Sequence, residues 1–325
     1  MRERDLVIVG GGPAGMAAAI AAHEEGVKDI LLLERDQYLG GILNQCIHTG
    51  FGIEYFKEIL TGPEYADRFI KKTMNIPQIE ISLKSFAVRL TKNKILTFIK
   101  PGILEEVHAK AIIMSTGCRE KTREMVHIPG TRPSGIFSAG LAQKLINIEG
   151  LLPGNDVVIA GSGDIGLIMA RRFTLEGARV KAIIEVQKHA SGLMRNVVQC
   201  VKDFDIPIYF NHKISKIHGK DRVEKVSVIK VDEHFNAIHG SEALIDCDTV
   251  LISVGLIPEN ELIEMAGVEI DKKTNTPVSG ELNKTSIPGL FVCGNSFKIY
   301  DIVDSVSRDS MVAGRLAAEY IRRLK

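Results

Sequence analysis

Short apolar runs, each followed by a glycine-rich turn and a stretch of small apolar residues, occur twice along the chain. The first copy runs from LVIV at residues 6–9 through GGGPAG at 10–15 into MAAAIAA, and a second apolar run then ends at Glu34. The second copy occupies residues 157–185, where GSGDIG follows VVIA and the next apolar run ends at Glu185. Each copy therefore predicts a strand–helix–strand unit of an α/β fold with parallel strands.

Both copies carry the spacing Gly-x-Gly-x-x-Gly, with a glutamate 24 positions after the first glycine. The first glycine permits a tight turn, the second lets the backbone approach a pyrophosphate, and the third lets the helix lie close to the strand. The helix N-terminus attracts the phosphates, and the carboxylate accepts hydrogen bonds from ribose hydroxyls. Two copies with one offset predict two dinucleotide sites. Their residues are Gly10, Gly12, Pro13, Ala14, Gly15 and Glu34 in the first, and Gly161, Gly163, Asp164, Ile165, Gly166 and Glu185 in the second.

Composition and charge narrow the classes of partner. The 325 residues are 45% apolar and 25% charged, which is typical of a soluble chain with room for about two domains. Lys plus Arg number 41 against 40 Asp plus Glu, so nothing favours nucleic acid as the main partner. No uninterrupted apolar run is long enough to predict a transmembrane helix. The five cysteines form no C-x-x-C pair, which predicts no metal site and a reducing, cytoplasmic location.

Further motifs complete a family pattern. An apolar strand ends in Thr116-Gly117, and TSIPGLFVCGN ends in Gly294-Asn295. With the two glycine-rich copies and SVGLIPE at 253–259, these motifs resemble the FAD-dependent pyridine nucleotide-disulfide oxidoreductase superfamily, at the size of its thioredoxin reductases. The segment 79–110 alternates short apolar and charged stretches and predicts a β-meander.

The resemblance implies two Rossmann-like domains of the three-layer ββα type. An NAD(P)H-binding domain at 119–246 would be inserted into an FAD-binding domain split between 1–118 and 247–325. The first glycine-rich copy would then bind FAD and the second NAD(H), with NADH preferred because a carboxylate at Glu185 repels a 2′-phosphate.

Other residues enter through the same resemblance. Asn295 stands where the family usually has aspartate, and its carbonyl oxygen still suits a flavin ribityl hydroxyl. The segment Asp301–Asp304 opens a C-terminal helix whose N-terminus would face the flavin. The further FAD-binding residues implied are Arg35, Gly40, Gly41, Asn44, Gln45, Thr116, Gly117, Gly294, Asn295, Ile302 and Val303, and Gly255 is implied for NAD.

The chain departs from the family in its cysteines. Disulfide-reducing members need two thiols, because one attacks and the other resolves. Residues 40–52 contain Cys46 alone, and residues 134–143 contain no cysteine, so dithiol chemistry is not expected. Cys46 is either a single redox thiol that cycles through a sulfenic acid or a buried packing residue. His48 is either a proton-transfer group or a histidine bonded to the backbone.

These features leave three functional hypotheses. The loop GGILNQCIHTGFG with LTGPEY resembles flavoproteins that accompany anaerobic-type glycerol-3-phosphate dehydrogenases. It implies a flavin-dependent subunit that passes electrons between NAD(H) and a non-dithiol donor or acceptor, within a multi-component dehydrogenase for glycerol 3-phosphate, an amino acid or an opine. The partner would be a dehydrogenase subunit or a second copy of the chain. The alternatives are a stand-alone NADH oxidase or peroxidase that uses Cys46, and a non-catalytic nucleotide-sensing subunit.

Overall fold

The apolar runs at residues 6–9 and 157–160 lie in the middle of two sheets in the computed structural model, which describes residues 2–278 and 281–324. The strands are β1 Arg2–Val9, β2 Ile30–Leu33, β3 Thr49–Phe51, β4 Leu60–Thr61, β5 Ile79–Ser82, β6 Phe86–Leu90, β7 Ile95–Lys100, β8 Ile103–Met114, β9 Cys118–Glu120, β10 Ile136–Ser138, β11 Asp156–Ala160, β12 Arg179–Glu185, β13 Ile208–Phe210, β14 His212–Gly219, β15 Val223–Lys230, β16 Ala243–Asp246, β17 Thr249–Ile252, β18 Leu256–Pro258 and β19 Leu290–Val292. The helices are α1 Pro13–Glu24, α2 Gly62–Met74, α3 Ala139–Asn147, α4 Asp164–Leu175, α5 Met194–Cys200, α6 Glu261–Met265 and α7 Val303–Arg323, with 3₁₀ turns at Gly41–Gln45, Lys202–Phe204 and Gly294–Ser296. Within the described residues, none of these helices has the length and apolar character needed to cross a lipid bilayer.

The first unit contains the described residues up to Arg119 and again from Ile257 onward. Its sheet has the order β5-β2-β1-β8-β7-β6, and β19 also pairs with β8. The pairs among β5, β2, β1, β8 and β19 are parallel, whereas β8, β7 and β6 form an antiparallel meander. The meander predicted over 79–110 is therefore shorter than expected, because β5 aligns in parallel with the apolar β2.

Both faces of this sheet are covered. Leu6 and Ile8 pack against α1, α2 and α7 on one face, while Val7 and Val9 pack against the meander and α6 on the other. A strand buried on both faces reads as a continuous apolar run, which explains the sequence pattern. Three layers result, and they confirm the predicted α/β fold.

The second unit runs from Glu120 to Leu256. Its five-stranded parallel sheet has the order β10-β17-β11-β12-β13. Helices α3, α4 and α5 cover one face, and the antiparallel β14-β15-β16 sheet covers the other. The unit extends past the 119–246 range expected from sequence, because β17 returns to pair between β10 and β11 before the chain leaves.

Candidate functional site

The first glycine-rich loop joins β1 to α1, and its three glycines have different surroundings. Gly10 has a φ of +112°, and a Cβ there would overlap the carbonyl oxygen of Ser115. A Cβ at Gly15 would overlap the carbonyl oxygen of Gly10. The packing of the chain itself therefore requires both glycines. Gly12 differs, because its φ is −76° and a Cβ there would lie 3.9 Å from the nearest non-neighbouring atom, the Cα of Gly41.

The second loop, between β11 and α4, repeats this arrangement. Gly161 has a φ of +97°, and a Cβ there would overlap the carbonyl oxygen of Ser253. A Cβ at Gly166 would lie 2.7 Å from the carbonyl oxygen of Gly161. Gly163 has a φ of −67°, and a Cβ there would lie 4.0 Å from the nearest non-neighbouring atom, the Oγ of Ser191. Internal packing thus requires the first and third glycine of each loop but leaves the middle one unexplained.

The glutamates that follow β2 and end β12 hold these loops through equivalent bonds. Glu34 is 5% exposed and accepts hydrogen bonds from the Gly11 N–H and from the amide two positions downstream, each at 2.8 Å. Glu185 is 4% exposed and accepts from the Ser162 N–H and from the amide two positions downstream, each at 2.9 Å. The Ser162 hydroxyl adds a third bond to Glu185. Both carboxylates are therefore fixed beside the loop that each follows.

The residues at both loops fit an adenine dinucleotide. Helices α1 and α4 begin directly after Gly12 and Gly163, which have no side chain between the first-turn N–H groups and a ligand. Open space at these two glycines is what a close backbone–pyrophosphate approach needs, and the helix dipole favours the negative charge. Asp164 lies in the first turn of α4, but its Oδ1 accepts from the Leu193 N–H at 2.8 Å and the Asn196 Nδ2 at 2.7 Å. Its charge is therefore used to hold the start of α5.

The turn Gly40-Gly41 lies against the first loop. The two glycines have φ values of +112° and +55°, and the Gly40 N–H donates to the Gly11 carbonyl at 2.9 Å. The Asn44 Nδ2 donates to the Leu39 carbonyl at 2.9 Å, so its amide braces this turn, and its contact with a flavin stays a prediction. Among the other residues predicted to bind FAD, Arg35 is exposed and Gln45 is buried.

Asn295 makes contacts within the first unit through both ends of its amide. Its Oδ1 accepts from the Tyr300 N–H at 3.2 Å, and its Nδ2 lies 3.6 Å from the Cys118 sulfur. A carbonyl oxygen has two lone pairs, so one acceptor position remains for the predicted ribityl contact.

The other predicted strand-end residues support turns. Thr116 donates its hydroxyl to the Glu259 carbonyl at 2.7 Å. Gly117, Gly294 and Gly255 have φ values of +74°, +66° and +120°, a region that favours glycine. The backbone conformation therefore favours glycine at these three positions, whatever ligand lies beside them.

Sequence reasoning placed Asp304 at the start of α7, after Ile302 and Val303, but missed its contacts. Asp304 is 2% exposed and accepts from the Gly52 N–H at 3.1 Å and the Tyr55 N–H at 2.6 Å. The one sequence signal is an acidic residue in the first turn of a helix, which the helix dipole favours. The buried carboxylate ties the loop before α2 to the N-terminus of α7.

Cys46 lies directly after the 3₁₀ turn and is 5% exposed. Its sulfur donates to the Ile42 carbonyl at 3.3 Å, and burial raises the pKa of the thiol to about 12. His48 is half-buried, with its Nδ1 3.2 Å from the Thr49 carbonyl and its ring 5.0 Å from the Phe51 ring. The surroundings of Cys46 therefore favour the protonated thiol, which is a poor nucleophile.

The segment that would hold the C-x-x-C of a thioredoxin reductase forms the N-terminus of α3. The Ser138 hydroxyl accepts from the Leu141 N–H at 3.4 Å. The Gly140 N–H donates to both carboxylate oxygens of Glu120, at 2.8 and 2.9 Å. A capped helix start thus occupies this place in the second unit.

Two units, each with parallel central strands, a glycine-rich loop before a helix and a glutamate fixed beside that loop, define the class of proteins that bind two dinucleotides. Residues 4–308 match the family described as Pyridine nucleotide-disulphide oxidoreductase, and the chain belongs to that family. It is an oxidoreductase of the FAD- and NAD(P)-binding type.

Several proteins are similar over most of the chain. The hydrogen cyanide synthase subunit HcnB of Pseudomonas protegens is 24% identical over 96% of this chain and 69% of its own length. An opine oxidase subunit from Agrobacterium tumefaciens is 22% identical over 97% of this chain and 64% of its own length. The chain thus spans about two thirds of these relatives. The crystal structure of T. acidophilum thioredoxin reductase is 24% identical, with a TM-score of 0.78 and 100% of both chains covered, and supports the fold.

Proposed function

We propose that this chain is the flavin subunit of a multi-component dehydrogenase and passes electrons between NAD(H) and a donor or acceptor that is not a disulfide. The observation that carries this proposal is a pair of complete dinucleotide loops in a chain without a cysteine pair at either family position. The loops provide for two nucleotides, while the missing second thiol removes dithiol exchange.

The first unit would bind FAD. Gly12 and the first turn of α1 would receive the pyrophosphate, and Glu34 would accept from the ribose. Asn295 would keep an acceptor for the ribityl chain, and the N-terminus of α7 would place partial positive charge toward the ring system. When bound, FAD supplies the group that carries two electrons between the substrates.

The second unit would bind NADH in preference to NADPH. Glu185 is buried and held by three hydrogen bonds, so its carboxylate cannot easily turn away from a ribose 2′-position. A fixed carboxylate accepts a hydroxyl there but repels a phosphate. The nearest downstream cation is Lys188, where NADP-binding relatives are expected to carry an arginine pair.

The identity of the substrate would come from a partner. Two similar proteins are named as subunits, of an opine oxidase and a hydrogen cyanide synthase. Together with the loop resemblance, this supports a partner that oxidises glycerol 3-phosphate, an amino acid or an opine.

The stand-alone oxidase or peroxidase is less well supported. That chemistry needs a Cys46 thiolate, and burial raises the pKa of this thiol to about 12. At neutral pH the thiol would therefore be almost entirely protonated. The non-catalytic hypothesis would be rejected by any NADH-dependent bleaching of the flavin.

The deciding experiment uses the two middle glycines, because their φ values are ordinary and a Cβ at either position meets no atom closer than 3.9 Å. Gly12→Leu should lose FAD on purification but bind ADP-ribose. Gly163→Leu should retain FAD, yet its flavin absorbance near 450 nm should not bleach when NADH is added without oxygen. Wild-type protein that neither retains nor takes up FAD, or a Gly163→Leu protein that bleaches normally, would contradict the proposal.

A further inference from the structure

The two dinucleotide loops differ at the position after the first glycine, which is Gly11 in the first loop and Ser162 in the second. Ser162 is fully buried, and its hydroxyl donates to Glu185 and accepts from the Ser191 N–H at 3.1 Å. The same hydroxyl thus joins the ribose-binding glutamate to the segment 186–193 that follows it.

The first loop has no equivalent hydroxyl bridge, because Gly11 has no side chain. A Cβ at Gly11 would lie 2.5 Å from Leu39 Cδ2 and 2.9 Å from Glu34 Oε2, so both side chains would have to shift to admit one. The segment after β2 is instead tied by a backbone bond, from the Gly40 N–H to the Gly11 carbonyl at 2.9 Å. The second loop has the corresponding backbone bond, from Gly192 to Ser162 at 2.9 Å, and adds the hydroxyl bridge to it.

We propose that Ser162 is a positioning residue that sets the discrimination between nucleotides with a 2′-hydroxyl and those with a 2′-phosphate. This inference rests on the proposed NAD site. Because the hydroxyl bonds both Glu185 and the Ser191 amide, the carboxylate and the segment 186–193 hold one arrangement before a ligand arrives. Binding then requires less ordering of the site, which improves affinity for the nucleotide that fits.

The segment 186–193 carries cationic side chains, so holding it in place affects the choice between a 2′-hydroxyl and a 2′-phosphate. Lys188 and His189 lie in this segment, and both are exposed in the described structure. The bond to the Ser162 hydroxyl is made by Ser191 and by neither of these two residues. If the hydroxyl were removed, Glu185 would keep its two bonds from backbone N–H groups but would lose the third, and the segment would lose its second tie to the loop. The carboxylate would then be less firmly oriented, and the two cationic side chains could approach a 2′-phosphate more easily. Loss of the bridge should therefore weaken binding of the 2′-hydroxyl ligand and weaken binding of the 2′-phosphate ligand less, or improve it.

The test measures calorimetric binding of ADP-ribose and of 2′-phospho-ADP-ribose to the FAD-loaded chain, so that it does not depend on turnover. Ser162→Ala should lower the affinity for ADP-ribose about tenfold, as for loss of one hydrogen bond to a charged group. The preference for ADP-ribose over 2′-phospho-ADP-ribose should fall by a similar factor. Ser162→Cys, whose thiol is a weak donor, should lie between alanine and the wild type.

Ser227→Ala is the matched control, because it removes a hydroxyl from β15 in the same unit, where it contacts His218 at 2.7 Å. It should leave both affinities unchanged. If Ser162→Ala folds poorly, Ser162→Gly reproduces the residue of the first loop and gives the same readout. A ratio unchanged in either variant, even with a lower melting temperature, would mean that Ser162 is structural only and would overturn the inference.

Gly163→Leu distinguishes an error in the proposed NAD site from an error in the role of Ser162. Wild-type ADP-ribose binding that persists in Gly163→Leu would place the nucleotide elsewhere and overturn both proposals together. Binding that is lost in Gly163→Leu, with a ratio unchanged in Ser162→Ala, would overturn only the role of Ser162.

Discussion

The carboxylate of Asp304 accepts a hydrogen bond from the backbone N–H of Tyr55 at 2.6 Å, although 249 positions separate the two residues. A second bond, from the Gly52 N–H, makes Asp304 the link between the loop before α2 and the N-terminus of α7. The buried hydrogen bond between the hydroxyls of Tyr65 and Ser307, at 2.8 Å, adds to this link.

Replacement of Asp304 by alanine should therefore loosen this loop. The N–H groups of Gly52 and Tyr55 would lose their acceptor, which costs about 2–4 kcal/mol of unfolding free energy. Denaturant unfolding of the FAD-loaded protein measures this, and hydrogen exchange at Gly52 and Tyr55 should accelerate. Asp67→Asn, at an exposed carboxylate of α2, is the control and should change stability little. Equal stability of the two variants would show that the buried bonds contribute nothing.

The glycines of the first loop should respond to alanine according to the space around them. Gly15→Ala forces a Cβ onto the Gly10 carbonyl and should destabilise the protein by about 1–3 kcal/mol or more. Gly12→Ala places its Cβ in open space and should leave the melting temperature of the FAD-free protein nearly unchanged. Similar melting temperatures for both variants would disagree with the described packing.

Cys46→Ser should keep NADH-dependent reduction of an artificial electron acceptor within about twofold of the wild type, because volume and burial change little. The same variant should retain peroxide turnover, if the wild type has any. A loss of turnover with FAD content preserved would restore the redox interpretation of Cys46, and stopped-flow bleaching by NADH would locate the step that failed.

Stability should fall as the solution becomes alkaline. Burial raises the pKa of the thiols of Cys46, Cys247 and Cys293 from an ordinary value of 9.0 to about 12. Above pH 9 the unfolded chain releases these protons while the folded protein keeps them, so the stabilisation is complete below pH 9 and is lost as pH rises toward 12.

Urea unfolding under reducing conditions checks this dependence. Each thiol should contribute a slope of up to about 1.4 kcal/mol per pH unit in that window. Cys247→Ala should reduce the slope compared with the wild type, whereas Ser227→Ala should not. A free energy of unfolding that stays constant from pH 8 to pH 11 would be evidence against buried, protonated thiols.

Local sequence pattern predicted the parts of the fold and site that local chemistry determines. The strand, the glycine turn and the helix follow one another directly, so the loops at Gly12 and Gly163 were visible in the sequence, as was the α/β class. The roles assigned to individual cofactor-binding residues remain predictions.

Long-range contacts were not predictable in this way. The bond between Asp304 and Tyr55 depends on how α7 packs, and nothing near either residue indicates its partner. The pairing of β5 with β2 and the return of β17 between β10 and β11 depend on strand order, which periodicity does not encode. Asn44 was assigned to a ligand from its motif position, whereas its amide also serves the adjoining turn.

The unequal use of the two glutamates has a kinetic consequence. A carboxylate offers about four acceptor positions; Glu34 uses two of them within the chain, whereas Glu185 uses three. Under the proposed assignment, Glu34 can hold both hydroxyls of one ribose, while Glu185 has room for a single bond. The first carboxylate would then suit a nucleotide that stays bound as a prosthetic group. The second gives up one bond to the ribose for the fixed orientation that the Ser162 bridge provides, so it can still discriminate between nucleotides that are exchanged in every catalytic cycle.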